Sequence, residues 1–232
     1  VNHDLRGNEN LKPETGLSAF LHLKKNWKVN ENLRSQNKLS LWKISLKDKI
    51  ELVTVNDAPL QYSYMNVDHY DTQGITYTND LKFKNFLLGA GATLTGIKQD
   101  LNDVLNTNEK YFYTLNLNAQ AAWNIPNINT TLSLFYRYNG EQELYTMRTN
   151  ENGDAYYAKG VQEAYSWLDA SIKKSFWDDR FELTFGARNL LDVKSIKNTT
   201  ESASGHTEAS SNMMLGYGRS FFLKFLYNLK LN

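Results

Sequence analysis

The stretch KYFYTLNLNAQAAWN, residues 110–124, alternates apolar and polar side chains along nearly its whole length. In a β-strand successive side chains point to opposite faces of the sheet, whereas an α-helix returns to the same face only every 3.6 residues. The alternation therefore predicts one long strand, with Leu115 and Leu117 on its apolar face and Asn116 and Asn118 on its polar face. Any fold proposed for the chain must give both faces a suitable environment.

The same alternation recurs along the chain, and we count nine strands in all. Two of them, within 37–55 and 64–79, alternate less regularly, and the first is expected to change phase near Leu41 and Trp42. The nine predicted strands lie within residues 17–24, 37–55, 64–79, 86–95, 110–124, 131–138, 168–176, 181–188 and 216–229.

The connections between these strands alternate between short turns and long polar loops. Short turns along one edge and long loops along the other are typical of an outer-membrane β-barrel, and aromatic residues near strand ends suit its interfacial girdles. The short turns are predicted at 26–32, 80–84, 124–129 and 177–180, and the long loops at 56–63, 98–109, 148–158 and 192–211.

The composition excludes several classes of function. The 26 Lys and Arg residues are interspersed with 25 Asp and Glu residues, so no basic patch for nucleic acid is expected. The chain has no cysteine, which rules out disulfides and thiolate metal sites. It also has no phosphate-binding glycine loop and no metalloprotease or nucleophile motif. We therefore expect neither an enzyme nor an intrinsic metal or cofactor.

A soluble β-sandwich is the alternative fold, because it also alternates and buries one face. Its strands would be shorter, and its apolar face would carry larger and more uniform Val, Ile and Leu side chains. Here the apolar positions include many alanines, and the opposite face carries Gly, Ser, Thr and Asn. These features favour an all-β, antiparallel transmembrane barrel.

Four stretches resemble the C-terminal portion of TonB-dependent outer-membrane receptors, in the order in which that family has them. The final strand is most similar to receptors of the Bacteroidetes type. The stretches are GNENLKPETG at 7–16, YDTQGITYT at 70–78, FGARNLLDVKSI at 185–196 and GYGRSFFLKFLYNL at 216–229.

The resemblance implies a 22-stranded barrel that encloses a plug. Nine strands counted back from the last strand correspond to its final nine, and an odd number cannot close an antiparallel barrel. We therefore expect residues 1–232 to be the C-terminal part of the barrel domain, without the plug and the first strands. The expected partners are the rest of the receptor, the lipid bilayer of the bacterial outer membrane, and the TonB complex through the missing N-terminal region.

The resemblance also implies energised import of a scarce nutrient. Haem or another iron or metal chelate is the first cargo that we consider, and the chelate would be transported rather than held as a cofactor. The alternatives are an oligosaccharide or peptide importer that works with a surface lipoprotein, a passive porin, and a soluble β-sandwich binding module.

Two groups of residues in the predicted outer loops are candidate cargo contacts. His206, Met213 and Met214 belong to the last long loop and its exit, and imidazole and thioether groups can ligate haem iron or copper. Aromatic rings suited to stacking on sugars occur in two other loops, at Tyr62, Tyr156 and Tyr157.

Three further residues are expected to face the barrel interior. His22 is placed near the periplasmic end, where a hydrogen bond to the plug is its expected role. Arg137 and Arg188 fall on the polar side of their strands, where plug carboxylates would be their partners.

Overall fold

The computed structural model describes residues 4–57, 60–100, 111–149, 155–200 and 209–229. Within these ranges the chain is almost entirely β-structure, and no helix is long and apolar enough to span a membrane. One 3-10 turn covers Pro126–Ile128. The strands are β1 Asp4–Arg6, β2 Thr15–Lys28, β3 Leu33–Asp57, β4 Leu60–Phe83, β5 Phe86–Asp100, β6 Phe112–Ile125, β7 Thr130–Asn139, β8 Gln142–Thr149, β9 Ala155–Gln162, β10 Tyr165–Phe176, β11 Phe181–Arg188, β12 Ser195–Thr200, β13 Ala209–Met214 and β14 Ser220–Tyr227.

Nine strands form one antiparallel path, which we call the wall. Its order is β14-β11-β10-β7-β6-β5-β4-β3-β2, and β1 pairs in parallel with β4 beside this path. Wall strands that follow one another in the chain pair with one another, as in a barrel of hairpins. Each of the nine predicted strands corresponds to a strand of the wall, but the predicted total of nine is too low, because the described residues hold fourteen strands.

One side of the wall, which we call the apolar face, carries continuous rows of hydrophobic side chains. Directly paired residues of antiparallel strands share a face. One row of paired residues crosses four strands and consists of Leu41, Ile75, Leu94 and Leu115. A second row crosses the other strands through Ala121, Leu134, Ala170, Ala187 and Phe221.

The apolar face is uncovered. Leu17 is 76% exposed and Phe221 is 64% exposed, while among the described apolar residues only Ala187 and Ile196 are buried. A β-sandwich would bury this face against a second sheet, so the sandwich alternative is wrong. So extended an apolar surface is stable where lipid chains cover it.

The opposite side, which we call the polar face, explains the irregular alternation of β3. Pairing between β3 and β4 is continuous from Leu33 opposite Phe83 to Lys47 opposite His69. Trp42 lies on the polar face over Gly74, where a Cβ atom would come within 2.1 Å of its ring. The predicted change of phase near Leu41 is therefore wrong: one large apolar residue points to the polar face while the register is unchanged.

The two edges of the wall differ, as the sequence predicts. The turn edge holds the connections 29–32, 84–85, 126–129 and 177–180. Five of their residues adopt the left-handed backbone conformation that tight turns require, namely Lys84, Asn129, Trp177, Asp178 and Asp179.

The opposite edge, the loop edge, corrects three of the predicted loops. Residues 148–158 and 192–211 contain parts of β8, β9, β12 and β13, which pair as a separate sheet in the order β13-β12-β9-β8. We call these strands the outer hairpins. The loop predicted at 56–63 is largely strand, since β3 extends to Asp57 and β4 begins at Leu60. At 98–109, β5 extends to Asp100 and the remaining residues lie outside the described ranges.

Candidate functional site

A cavity of about 510 Å³ lies on the polar face of β6, β7 and β10. We call it the wall cavity. Strand pairing brings its side chains together, because Arg137 lies opposite both Asn118 and Trp167, and Asn139 lies opposite Tyr165. Other residues that line it are Gln120, Phe135, Asp169 and Leu215, the last from the segment between β13 and β14.

The two predicted interior arginines both lie on the polar face. Arg137 lines the wall cavity, and among the described residues it has neither an ion-pair partner nor a side-chain hydrogen bond. The guanidinium carbon of Arg188 lies 5.2 Å from the centre of the Phe222 ring, which is within cation–π range. Pairing of either residue with a plug carboxylate stays a prediction.

His22 also lies on the polar face, in the middle of β2. Its Nδ1 atom and the Ser40 hydroxyl are 2.9 Å apart, and its ring stacks with Phe20 at a centroid distance of 6.3 Å. These contacts to neighbouring side chains of the wall position the imidazole. A hydrogen bond from His22 to the plug stays a prediction.

The predicted methionine and histidine group is only partly within the described residues. His206 lies outside them. Met213 and Met214 belong to β13, where they pair with Ile196 and Ser195, and Met214 is 79% exposed. Among the described residues, no group of three His, Asp or Glu side chains is placed to hold a metal ion.

The three candidate tyrosines belong to two different sheets. Tyr62 lies in β4, where it pairs with Leu5 on one side and Thr54 on the other. Tyr156 and Tyr157 lie in β9 of the outer hairpins, although their side chains are outside the described ranges. Among the described strands, no backbone pairing joins Tyr62 to the other two.

A cluster that the sequence did not single out joins the end of β11 to the start of β14, and we call it the clasp. Its centre is Asn189, which is fully buried. The Asn189 Nδ2 group donates to the Val193 carbonyl at 2.8 Å, and the Val193 amide donates to Asn189 Oδ1 at 3.0 Å. The Asn189 amide itself donates to Asp169 Oδ1 at 2.8 Å. The clasp is thereby tied to the border of the wall cavity.

Charged groups complete the clasp. The backbone amide of Arg219 donates to Asp192 Oδ1 at 2.8 Å. The Arg219 guanidinium donates to the Leu190 carbonyl through Nε and Nη2. Lys194 lies 3.3 Å from Asp192. The Arg219 amide, with smaller contributions from Lys194, lowers the pKa of Asp192 below its ordinary value. Gly218, with φ of 86°, supplies the left-handed turn that the Asp192 carboxylate packs against.

The clasp explains two of the stretches on which the family resemblance rests. Asn189 and Asp192 belong to FGARNLLDVKSI, and Gly218 and Arg219 belong to GYGRSFFLKFLYNL. The motifs include these residues, but the sequence contains no signal that Asp192 and Arg219, 27 residues apart, contact one another. Their shared role becomes visible only in the structure.

Comparison with known proteins agrees with the architecture. The family model described as "Outer membrane protein beta-barrel family" matches residues 5–227. The FrpB iron transporter from Neisseria meningitidis (F3-3 variant) is similar in structure, with a TM-score of 0.60 and 13% identity over 95% of this chain and 32% of that one. The ferripyoverdine receptor of the outer membrane of Pseudomonas aeruginosa, bound to ferripyoverdine, is also similar in structure. Its TM-score is 0.57, with 15% identity over 93% of this chain and 27% of that one. No curated protein matches in sequence.

Proposed function

We propose that this chain, which belongs to the outer membrane protein beta-barrel family, forms the C-terminal wall of a TonB-dependent receptor that imports a scarce nutrient. Its location is the bacterial outer membrane. The observation that carries the proposal is the nine-stranded wall itself, apolar on one face and lined by polar groups and a cavity on the other. The chain spans about a third of the length of the solved iron transporter that it resembles, and the proposal assigns a plug and further strands to the rest of the receptor.

The first candidate cargo is haem or another iron chelate. Support comes from the similar solved structures, one named an iron transporter and the other a ferripyoverdine receptor. The second candidate cargo is an oligosaccharide or peptide delivered with a surface lipoprotein, and the aromatic and amide groups of the wall cavity favour it.

In this proposal the chain performs no covalent chemistry and carries no cofactor of its own. The apolar face fixes the wall in lipid, and the outer hairpins and the wall cavity meet the cargo. The polar face surrounds the plug, which the TonB complex displaces. Hydrogen bonds and stacking contacts are strong enough for binding and weak enough for release.

An uptake experiment with the full-length receptor tests the proposal. We would express it in a TonB-proficient bacterium that lacks its own haem and siderophore receptors, and measure uptake of haemin and of ferric chelates with and without a protonophore. Uptake that requires both the receptor and the proton gradient supports energised import. Uptake that continues unchanged in the presence of the protonophore supports a passive porin and contradicts the proposal.

A further inference from the structure

We propose that the wall cavity is a binding subsite for one or two sugar units of an oligosaccharide. This inference rests on the proposed function and takes up the second of its two candidate cargoes, the oligosaccharide. The cavity volume of about 510 Å³ is within the range of small-molecule sites. The ligand class follows from the floor, the hydrogen-bonding groups, the aromatic rings and the roof of the cavity.

The floor of the cavity includes two amide side chains that rest on glycines of the neighbouring strand. Asn118 lies over Gly91 on β5, where an added Cβ atom would come within 2.7 Å of the Asn118 Oδ1 atom. Gln120 lies over Gly89 in the same way. Because the two glycines have no side chain, the amides lie low against the neighbouring strand and line the cavity without filling it.

The polar groups suit a ligand whose groups both donate and accept hydrogen bonds. The amides of Asn118, Gln120 and Asn139 each offer an acceptor and two donors, which matches sugar hydroxyls. Arg137 adds a cation, and Asp169, on the adjacent strand, adds an anion. Because these charges balance, a neutral ligand fits better than an anionic chelate, which would meet the Asp169 carboxylate.

Aromatic rings supply the apolar contacts. Tyr165 and Trp167 are two residues apart in β10, so both lie on the same face, about 7 Å apart along the strand. Both side chains line the cavity. Phe135, directly opposite Asp169, is 48% exposed on the same face. Flat aromatic surfaces beside amide groups let a ligand stack its C–H face and hydrogen-bond along its edge, which is the arrangement of a pyranose ring.

The clasp holds the roof and one side of the cavity in place. Leu215, which we call the roof, closes the cavity from the segment between β13 and β14. Its amide donates to the Lys194 carbonyl at 2.9 Å, which fixes this segment. Asp169 accepts the Asn189 amide at 2.8 Å, which fixes the carboxylate at the side. A site held in this way before binding loses less conformational freedom when the ligand enters.

The test uses the full-length receptor in detergent. It is screened on an array of plant, fungal and host oligosaccharides, and the best neutral ligand is then titrated by calorimetry. Trp167→Leu removes a stacking ring, and Trp42→Leu is the matched control on the same face, outside the cavity. We expect at least about tenfold weaker binding for Trp167→Leu, the loss typical of a packed aromatic contact, and a change within about twofold for the control.

A second pair of variants leaves every side chain that lines the cavity unchanged. Gly91→Ala pushes the Asn118 amide towards the cavity and is expected to weaken sugar binding, whereas Gly7→Ala has nothing within 4 Å of the added atom and should not. Absence of binding to every oligosaccharide, or equal losses in both members of each pair, overturns the inference. If haemin or ferric citrate binds instead of sugars, and Trp167→Leu weakens that binding, the inference is also overturned. The proposed function is then unaffected.

Discussion

The wall and the outer hairpins are both antiparallel β-structure, but different forces determine their sequences. In the wall, lipid on one side and polar surroundings on the other impose alternation, as in Leu132, Ser133 and Leu134 of β7. In the hairpins, the sequences SIKNTT of β12 and ASSNMM of β13 have small polar residues at successive positions. The wall is therefore specified by its environment, and the hairpins by backbone pairing and a few side chains at their base.

The clasp is the place where these two kinds of structure meet. It fastens the segment before β12 to the wall through Asn189, and the segment after β13 through Arg219. We expect substitutions in the wall to act on insertion and global stability, and substitutions in the clasp to act on the base of the hairpins. Four predictions test this division, beginning with the largest effect.

A charge on the apolar face gives the largest expected loss. Leu134 lies at the centre of β7 and is 44% exposed. Leu134→Arg is expected to destabilise the folded receptor in lipid vesicles by about 2–4 kcal/mol, because the guanidinium must be placed in hydrocarbon. Chemical denaturation of the full-length receptor in vesicles measures the free energy of unfolding.

Ser133→Arg is the matched control for this change, one residue away on the polar face. Its expected cost is below about 1 kcal/mol, since lumen positions accept charge. Equal losses in the two variants would mean that the two faces do not have different environments, and the comparison between wall and hairpins would fail.

The same environmental rule determines how much the sequence could predict. Alternation found all nine wall strands, and the turn residues separated their two edges. It missed β8, β9, β12 and β13, and it mistook Trp42 for a change of phase. Strands β12 and β13 carry polar residues at successive positions, which gives no period-2 signal, and one large apolar residue on the polar face looks like a shift of the pattern. The wall cavity was missed as well: Arg137 was expected to face inward, but its proximity to Trp167 depends on pairing between strands that the sequence does not specify.

Removal of the central clasp residue gives the second largest expected effect. Asn189→Ala leaves the Val193 amide and carbonyl without their side-chain partners, and the expected cost is about 2 kcal/mol. Hydrogen exchange followed by mass spectrometry should show lost protection at 189–200 and 209–219, with the centre of the wall unchanged. Asn124→Ala, at the turn edge, is the control. Loss of protection throughout β6 and β7 would show that the clasp supports the wall as well.

Overpacking on the polar face gives a smaller loss. Gly74→Ala places a methyl group against the Trp42 ring, which must shift. We expect a net cost of about 1 kcal/mol, because the overpacking penalty is partly offset by the lower entropy of the unfolded chain. The fluorescence of Trp42, followed in a variant that keeps this tryptophan alone, should shift with the substitution. Unchanged fluorescence and stability would mean that Trp42 does not rest on Gly74.

The smallest expected effect is a pH dependence confined to the clasp. The pKa of Asp192 is lower in the folded protein than its ordinary value of 3.8, chiefly because the Arg219 amide hydrogen-bonds to the carboxylate. The unfolded carboxyl therefore binds a proton at higher pH than the folded one does. The resulting stabilisation is complete above the ordinary pKa and disappears as the pH falls through the lowered pKa.

Hydrogen exchange at 215–219, corrected for intrinsic rates, should accordingly be constant between pH 7 and about 5 and rise as the pH falls below about 4. Asp192→Asn retains an oxygen that can accept the Arg219 amide but cannot titrate, so its exchange should vary less over the same range. A pH step of equal size in Asp192→Asn would show that the Asp192 carboxyl is not the group responsible, and would contradict the prediction.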